Sequence, residues 1–204
     1  MSPHAFAFRG VHRRFGRLRV LVDAAGAVES GGVLAVRGAN GSGKSTLLRC
    51  LAGLLRPDRG EIEAREDGRA LGIEDRRRRV GYLAPDVAFY DELTGAENLE
   101  LYARLRGVDR ACGPALLERL GLAPHRAWHA MSSGMRQRLR WSFALLHEPA
   151  LLLLDEPFQN LDAAGEQAAR ALLAERLEAG ALAIVASPAK VLLPRETGEL
   201  ELAG

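Results

Sequence analysis

Apolar positions along this chain follow two spacings, and the two take turns. Short continuous runs suit strands buried on both faces, while spacings of three and four suit helices with one apolar side. Phe6 to Val11 and Arg19 to Ala25 read as short strands, and Val33 to Arg37 as a buried one. A helix is expected from about Lys44 to Leu54, with Leu47, Leu48, Leu51 and Leu55 on one side, ended by Pro57 and Gly60. Glu61 to Ala64 and Val80 to Leu83 read as strands on either side of a polar stretch. Thr94 and Glu97 form a capping box ahead of Leu99, Leu101, Tyr102 and Leu105. Pro114 to Leu120 and Gly134 to Leu146 read as helices, the second with Met135, Leu139, Phe143 and Leu146 in one stripe. Leu151 to Leu154 is a strand, Ala163 to Glu178 a helix closed by Gly180, and Ala181 to Ala186 a strand. Val191 to Leu193 and Leu200 to Leu202 flank a turn and predict a terminal hairpin.

Strands alternating with helices predict an α/β fold. The helical block from about residue 86 to 148 interrupts that alternation and is expected to form a lobe. With 204 residues, 48% of them hydrophobic, one domain with a sizeable core is expected and a disordered chain is excluded. The central uncharged apolar stretch, Pro149 to Leu154, is far shorter than the roughly twenty residues that cross a bilayer. Met1 to Phe6 lack the basic-then-apolar pattern of a signal peptide, so Cys50 and Cys112 are expected as reduced thiols.

Charge adds one pointer. A net of +2 is too balanced for general nucleic-acid binding, so no nucleic-acid partner is expected. The basic residues are 26 Arg and only two Lys, Lys44 and Lys190. Lys190 carries no specific signal. Lys44 does, because an ammonium is a compact point charge that the planar guanidinium cannot copy. It stands in Gly38-Ala39-Asn40-Gly41-Ser42-Gly43-Lys44-Ser45-Thr46, which fits G-x-x-x-x-G-K-[ST] between a buried strand and a helix. Glycines let the backbone curl so that its N–H groups surround phosphate, at a helix start that favours negative charge. Lys44 is expected on the β- and γ-phosphates of a nucleotide and Ser45 on Mg²⁺.

Leu151 to Leu154 ends in Asp155-Glu156. Carboxylates at the C-terminal end of a core strand lie where α/β sheets bind ligands. Asp155 is expected to hold Mg²⁺ through water, and Glu156 to polarise an attacking water. Between the two phosphate elements lies Met131-Ser132-Ser133-Gly134-Met135, before Arg136-Gln137-Arg138. Phe158 to Asp162 follows the acids, and Tyr90 to Thr94 with Glu97-Asn98-Leu99 precedes them. In that order, the set resembles the ATP-binding subunits of ABC transporters over nearly the whole chain. Met131 to Met135 is similar to the signature motif, Leu-Ser-Gly-Gly-Gln, and Phe158 to Asp162 to the D-loop.

The resemblance implies a P-loop NTPase (RecA-like) core, an antiparallel β subdomain and an inserted α-helical lobe, all within one ABC ATPase domain, 1–204. It implies ATP and Mg²⁺ as cofactors, a second ATP-binding subunit in a homodimer, and an integral membrane permease subunit as partner. The chain would be cytoplasmic and peripheral on the inner face of the membrane. Ser132 and Gly134 would contact the γ-phosphate held by the opposing protomer, with Asp162 beside it. For Ser132 and Ser133 an ordinary helix N-cap uses the same donors. Phe15 falls where the family stacks an aromatic on adenine, and core packing is equally open to it. The region near Pro85 to Leu93 would dock the permease. The short length and the stretch Tyr82 to Leu105 are similar to the haem-exporting subfamily of cytochrome c maturation.

Two family groups are missing. Pro85 stands at the position of the glutamine-loop Gln, and Pro188 at that of the switch His, with only Ala189 and Lys190 before the last strand. Proline brings neither a polar side chain nor an N–H. ATP turnover is therefore expected to be slow, and a nucleotide-binding regulatory module with little or no turnover is the alternative. A non-transport family member acting on nucleic acid is a further class. Arg76 to Arg79 is expected as a solvated run beside Glu74 and Asp75, rather than a nucleic-acid or lipid patch. Arg136, Arg138 and Arg140 either face phosphate across a dimer or are simply exposed. His125 and His129 are expected to be structural.

Overall fold

The computed structural model describes residues 4–188 and 191–202. Lys190, and with Ala189 the spacing it was expected to set, lies outside them. Two sheets organise the chain. Strands β1 (His4–Phe15) and β2 (Leu18–Glu29) pair antiparallel, and β1 also pairs with β4 (Arg59–Glu66), which carries the short β5 (Arg69–Ala70). The second sheet is parallel throughout, in the order β6 (Val80–Leu83), β7 (Leu151–Asp155), β8 (Leu182–Ala186), β3 (Val33–Arg37), β9 (Glu196–Glu201).

Every residue of β3, β7 and β8 is buried, as continuous apolar runs require. Alternate residues serve opposite faces. Leu34, Val36, Leu153 and Ile184 pack on helix α1 (Lys44–Leu51) and on the antiparallel sheet, through Leu47, Leu51, Phe6 and Phe8. Val33, Ala35, Leu154 and Val185 pack on α5 (Ser133–Leu145) and α6 (Ala163–Glu178), through Trp141, Leu145, Leu172 and Leu173. Between β6 and β7 lie α3 (Gly95–Arg106), α4 (Cys112–Arg119) and α5. They enclose a separate apolar cluster around Phe89, Leu99, Trp128 and Leu139. Helix α5 walls both this cluster and the sheet, so its two sides are both apolar.

The capping box forms as read: Thr94 Oγ1 accepts from Glu97 N–H, and Glu97 Oε2 accepts from Thr94 N–H at 2.8 Å. Four readings change. The expected hairpin is absent among the described residues. β9 instead runs parallel to β3, while Leu193 sinks into the α6 side of the core. Arg37, only 7% exposed, fixes that pairing through Glu196 at 3.0 Å and Glu199 at 2.9 Å. Helix α1 stops at Leu51 because Gly53 takes the left-handed conformation, φ 74°, well before Pro57.

The polar stretch holds a helix, α2 (Ile73–Arg79), and the arginine run is solvated only in part: Arg77 and Arg78 are exposed, with Arg77 paired to Glu74 at 2.8 Å. Arg76 is buried and donates to Ile62 O, Arg77 donates to Gly53 O, and Arg79 pairs with Glu66. Ile62 O and Glu66 draw Arg76 and Arg79 inward, while Arg77 reaches Gly53 O from an exposed position. Finally, no helix among the described residues is long and apolar enough to cross a membrane.

Candidate functional site: the carboxyl edge of the parallel sheet

Four neighbouring strands deliver their C-terminal ends to one edge. β3 leads into the loop 38–43, β7 into Asp155 and Glu156, β6 into Pro85 and Asp86, and β8 into Ser187 and Pro188. Gly38 sits at φ 142°, where a Cβ would come within 2.6 Å of both Leu202 O and Ser42 Oγ. Gly43 sits at φ 98° with Val20 O at 2.8 Å from the same point. The loop is squeezed between β2 and the residue after β9, and side chains are excluded on both sides. Lys44, 5% exposed, turns back and donates from Nζ to Gly38 O at 2.7 Å and Ala39 O at 2.8 Å. Ser42 N–H donates to Ala39 O at 3.1 Å, and its buried hydroxyl has no partner among the described residues. Ala39, Asn40, Gly41 and Ser45 face solvent, with Thr46 half-buried.

Asp155 is 3% exposed, with the Ser45 hydroxyl and the Lys44 ammonium near it. Burial pushes its carboxyl above the usual range. Ser45 and Lys44 oppose that push, and the nearby Glu156 and Asp86 carboxylates add to it. Glu156 follows in the left-handed conformation, φ 48°, with its N–H on Ala186 O at 2.9 Å.

These residues fit a divalent ion and a phosphate chain. The loop is a cradle that a Cβ would fill, its lysine lies within it, and a buried carboxylate stands close by with its ionised form only partly compensated. Asp86 adds a carboxylate from β6 and is held by Arg49 of α1 at 2.8 Å. Neither Asp86 nor Arg49 was legible as a site residue, since only the sheet order brings β6 beside β7.

The other candidates form a second group. Ser132 caps α5, its Oγ accepting from Met135 N–H at 3.3 Å. Gly134 lies against the loop after β7, where a Cβ would meet Asn160 O at 2.7 Å. Asp162 caps α6 through Gly165 N–H at 2.8 Å and pairs with Arg138 at 2.6 Å. The Gly165 N–H first, then Arg138, holds its carboxyl below the usual range. Phe15 is 47% exposed at the end of β1 with the Arg13 guanidinium 4.8 Å from its ring centroid, so core packing is excluded.

Among the three arginines of α5, neither simple exposure nor a free guanidinium holds. Arg138 also donates to Leu120 O and Gly121 O, each at 2.8 Å. Arg136 lies over Trp128 and donates to His129 O, and Arg140 donates to Pro85 O and Val87 O. The pattern also missed Gln137, which is 3% exposed and donates from Nε2 to Glu156 O at 3.1 Å and Pro157 O at 2.9 Å. A buried Gln in an amphipathic helix was the available signal. His129 bonds Asp91 O at 2.8 Å, and Cys50 and Cys112 are free thiols.

The family described as ABC transporter matches residues 21–159. The chain is 39% identical, over 81% of its length, to the daunorubicin resistance ATP-binding protein DrrA3 of Streptomyces coeruleorubidus, and covers 54% of that protein. It is 37% identical, over 85% of its length, to the cytochrome c biogenesis ATP-binding export protein CcmA 2 of Cupriavidus metallidurans, and covers 83% of that one. A solved structure of an ATP-binding subunit of an ABC transporter superposes with a TM-score of 0.79 at 31% identity, covering 90% of this chain and 79% of the other. The chain spans about half the length of several curated relatives that it matches. With the glycine-rich loop 38–46, the paired acids and the turn at 132–134 placed on a P-loop NTPase fold, and with this match across its middle, the chain belongs to the ABC transporter family as an ATP-binding domain.

Proposed function

We propose that the chain binds ATP with Mg²⁺ at the carboxyl edge of the parallel sheet and hydrolyses it, powering a separate integral membrane permease from the cytoplasmic face. The observation that carries this reading is the glycine-walled loop with Lys44 folded into it, set at the same sheet edge as buried Asp155 and the adjoining Glu156. Backbone N–H groups of 38–46 and the Lys44 ammonium bind the phosphates. Ser45 and Asp155 hold Mg²⁺, which when bound neutralises charge on the phosphate oxygens. Glu156 takes up the proton of the attacking water as general base. Exposed Phe15 offers its ring to the adenine.

A second copy supplies Ser132 and Gly134 to the γ-phosphate from the opposing side, with Asp162 nearby. The N–H groups at the start of α5 then serve both cap and phosphate. Pro85 and Pro188 leave that phosphate two contacts short, so turnover falls below the common range of about 1–10³ per second. Haem export in cytochrome c maturation is the cargo reading we carry. Its support is the 37% identity to the cytochrome c biogenesis relative over 85% of the chain.

Steady-state phosphate release by wild type and Glu156→Gln, alone and with the permease, tests the chemistry. The expected result is slow, permease-stimulated turnover that the substitution lowers at least about 100-fold. Equal rates in both proteins, with ATP still bound, overturn hydrolysis and leave a binding module.

A further inference from the structure

Glu156 needs a left-handed backbone, φ 48°, that a non-glycine residue keeps only when its surroundings hold it there. One support comes from α5. Gln137 Nε2 donates to Glu156 O at 3.1 Å and to Pro157 O at 2.9 Å. The far end of the same amide is also engaged, since Gln137 Oε1 accepts from Arg140 Nη1 at 3.4 Å. A guanidinium can only donate, so it turns the amide oxygen toward itself and the amide nitrogen toward the two carbonyls. Arg140 is itself anchored in the loop after β6. Its Nη2 donates to Pro85 O at 2.7 Å and its Nε to Val87 O at 2.9 Å, with the guanidinium 5.4 Å from the Trp128 ring centroid. That loop is tied from the other side by the Arg49–Asp86 ion pair at 2.8 Å.

We propose that Gln137 and Arg140 are positioning residues for Glu156, and that Arg140 links the loop at Pro85 to the general base through Gln137. The inference rests on the hydrolysis reading above. Backbone carbonyls and an arginine here make a connection that needs no side-chain amide at position 85.

Gln137→Glu is the sharpest variant. It keeps the volume and the partner for Arg140 but replaces the two donors with a carboxylate facing two carbonyls. Arg140→Lys keeps the charge and loses the fork. Phosphate release against ATP concentration, Mg-ATP affinity by calorimetry and thermal midpoints are measured on the full chain for wild type, Gln137→Glu, Gln137→Leu, Arg140→Lys and Glu156→Gln. The expected result is a kcat about tenfold lower in Gln137→Glu, with KM and affinity within about twofold. Gln137→Leu follows it, and Arg140→Lys shows a smaller loss of the same kind. Folded Gln137→Glu with wild-type kcat overturns the inference alone, as does a rise in KM at constant kcat. Wild-type turnover no greater than that of Glu156→Gln overturns the hydrolysis reading, and this inference with it.

Discussion

The loop at 38–46 and the turn at 132–134 both open a helix with glycine and serine, yet they are held by different means. The first is nearly self-contained. Lys44 returns to carbonyls five and six residues back, and Ser42 to one three residues back. The second is held from a distance. Gly134 abuts Asn160, Arg138 reaches Asp162, and Gln137 reaches Glu156 and Pro157. Among the described residues, no hydrogen bond joins Ser132 to the 38–46 loop. A motif closed by local bonds keeps its shape wherever strand and helix flank it. One closed by remote bonds depends on the register of α5 against the loop after β7.

The largest test of that contrast is Lys44→Ala. Removing the point charge is expected to weaken Mg-ATP binding by at least about 100-fold in calorimetry, as loss of a charge-assisted contact allows. Unchanged affinity would refute the phosphate-loop role. The fold should survive, because the lost bonds are local.

Gly134→Ala should do the reverse. A Cβ 2.7 Å from Asn160 O forces the turn at 132–134 off the loop after β7, costing about 1–3 kcal/mol in chemical denaturation. ATP affinity of the single chain should stay within about twofold. A variant as stable as wild type would show that the turn can shift freely.

Acid acts through two buried groups outside both the loop and the turn. Burial, then Arg106, lowers the His147 pKa to about 4 from 6.5. Above 6.5 it is neutral in both folded and unfolded chains. Below that, the unfolded chain takes up the proton first, so stability falls as the pH drops toward 4. Between pH 7 and pH 5 the expected loss from this group is about 2 kcal/mol. The comparison is wild type against His147→Gln, whose pH profile should be flatter by that amount. Asp155 has the opposite sign. Its pKa is raised, so ionising it above the usual carboxylate range costs stability, and Asp155→Asn should raise the thermal midpoint in the absence of Mg-ATP.

The smallest expected effect on stability is Ser132→Gly. Glycine replaces a serine N-cap at a few tenths of a kcal/mol, against about 1 kcal/mol for alanine. Thermal midpoints should therefore barely move. ATP-dependent dimerisation of Glu156→Gln, followed by light scattering, should drop if the hydroxyl meets the opposing phosphate. Unchanged pairing would leave Ser132 as a cap only.

Much of the fold and half of the site are legible in the residues alone. The capping box at Thr94, the fully buried strands and the bounds of α6 all lie within reach of local periodicity. So does the phosphate loop, whose residues specify one another within seven positions. No terminal hairpin forms among the described residues, because Glu196 to Glu201 carries only a weak alternation and a distant cation, Arg37, ties it to β3. The arginine run misleads in part for a similar reason: Arg76 and Arg79 look solvated until Ile62 and Glu66 are brought beside them.

The sequence by itself therefore determined the alternation of strands and helices, the nucleotide motif and the acids that end β7. Those features follow from backbone preferences and from burial of nearby apolar side chains. Only the tertiary structure decided that Asp86 stands near Asp155, that Arg138 serves Asp162, and that Gln137 and Arg140 reach the backbone at Glu156 and Pro85. Each of those contacts joins residues that no local energy relates, and the partners of Gln137 and Arg140 are main-chain carbonyls, which every residue carries and which leave no mark in the amino-acid sequence.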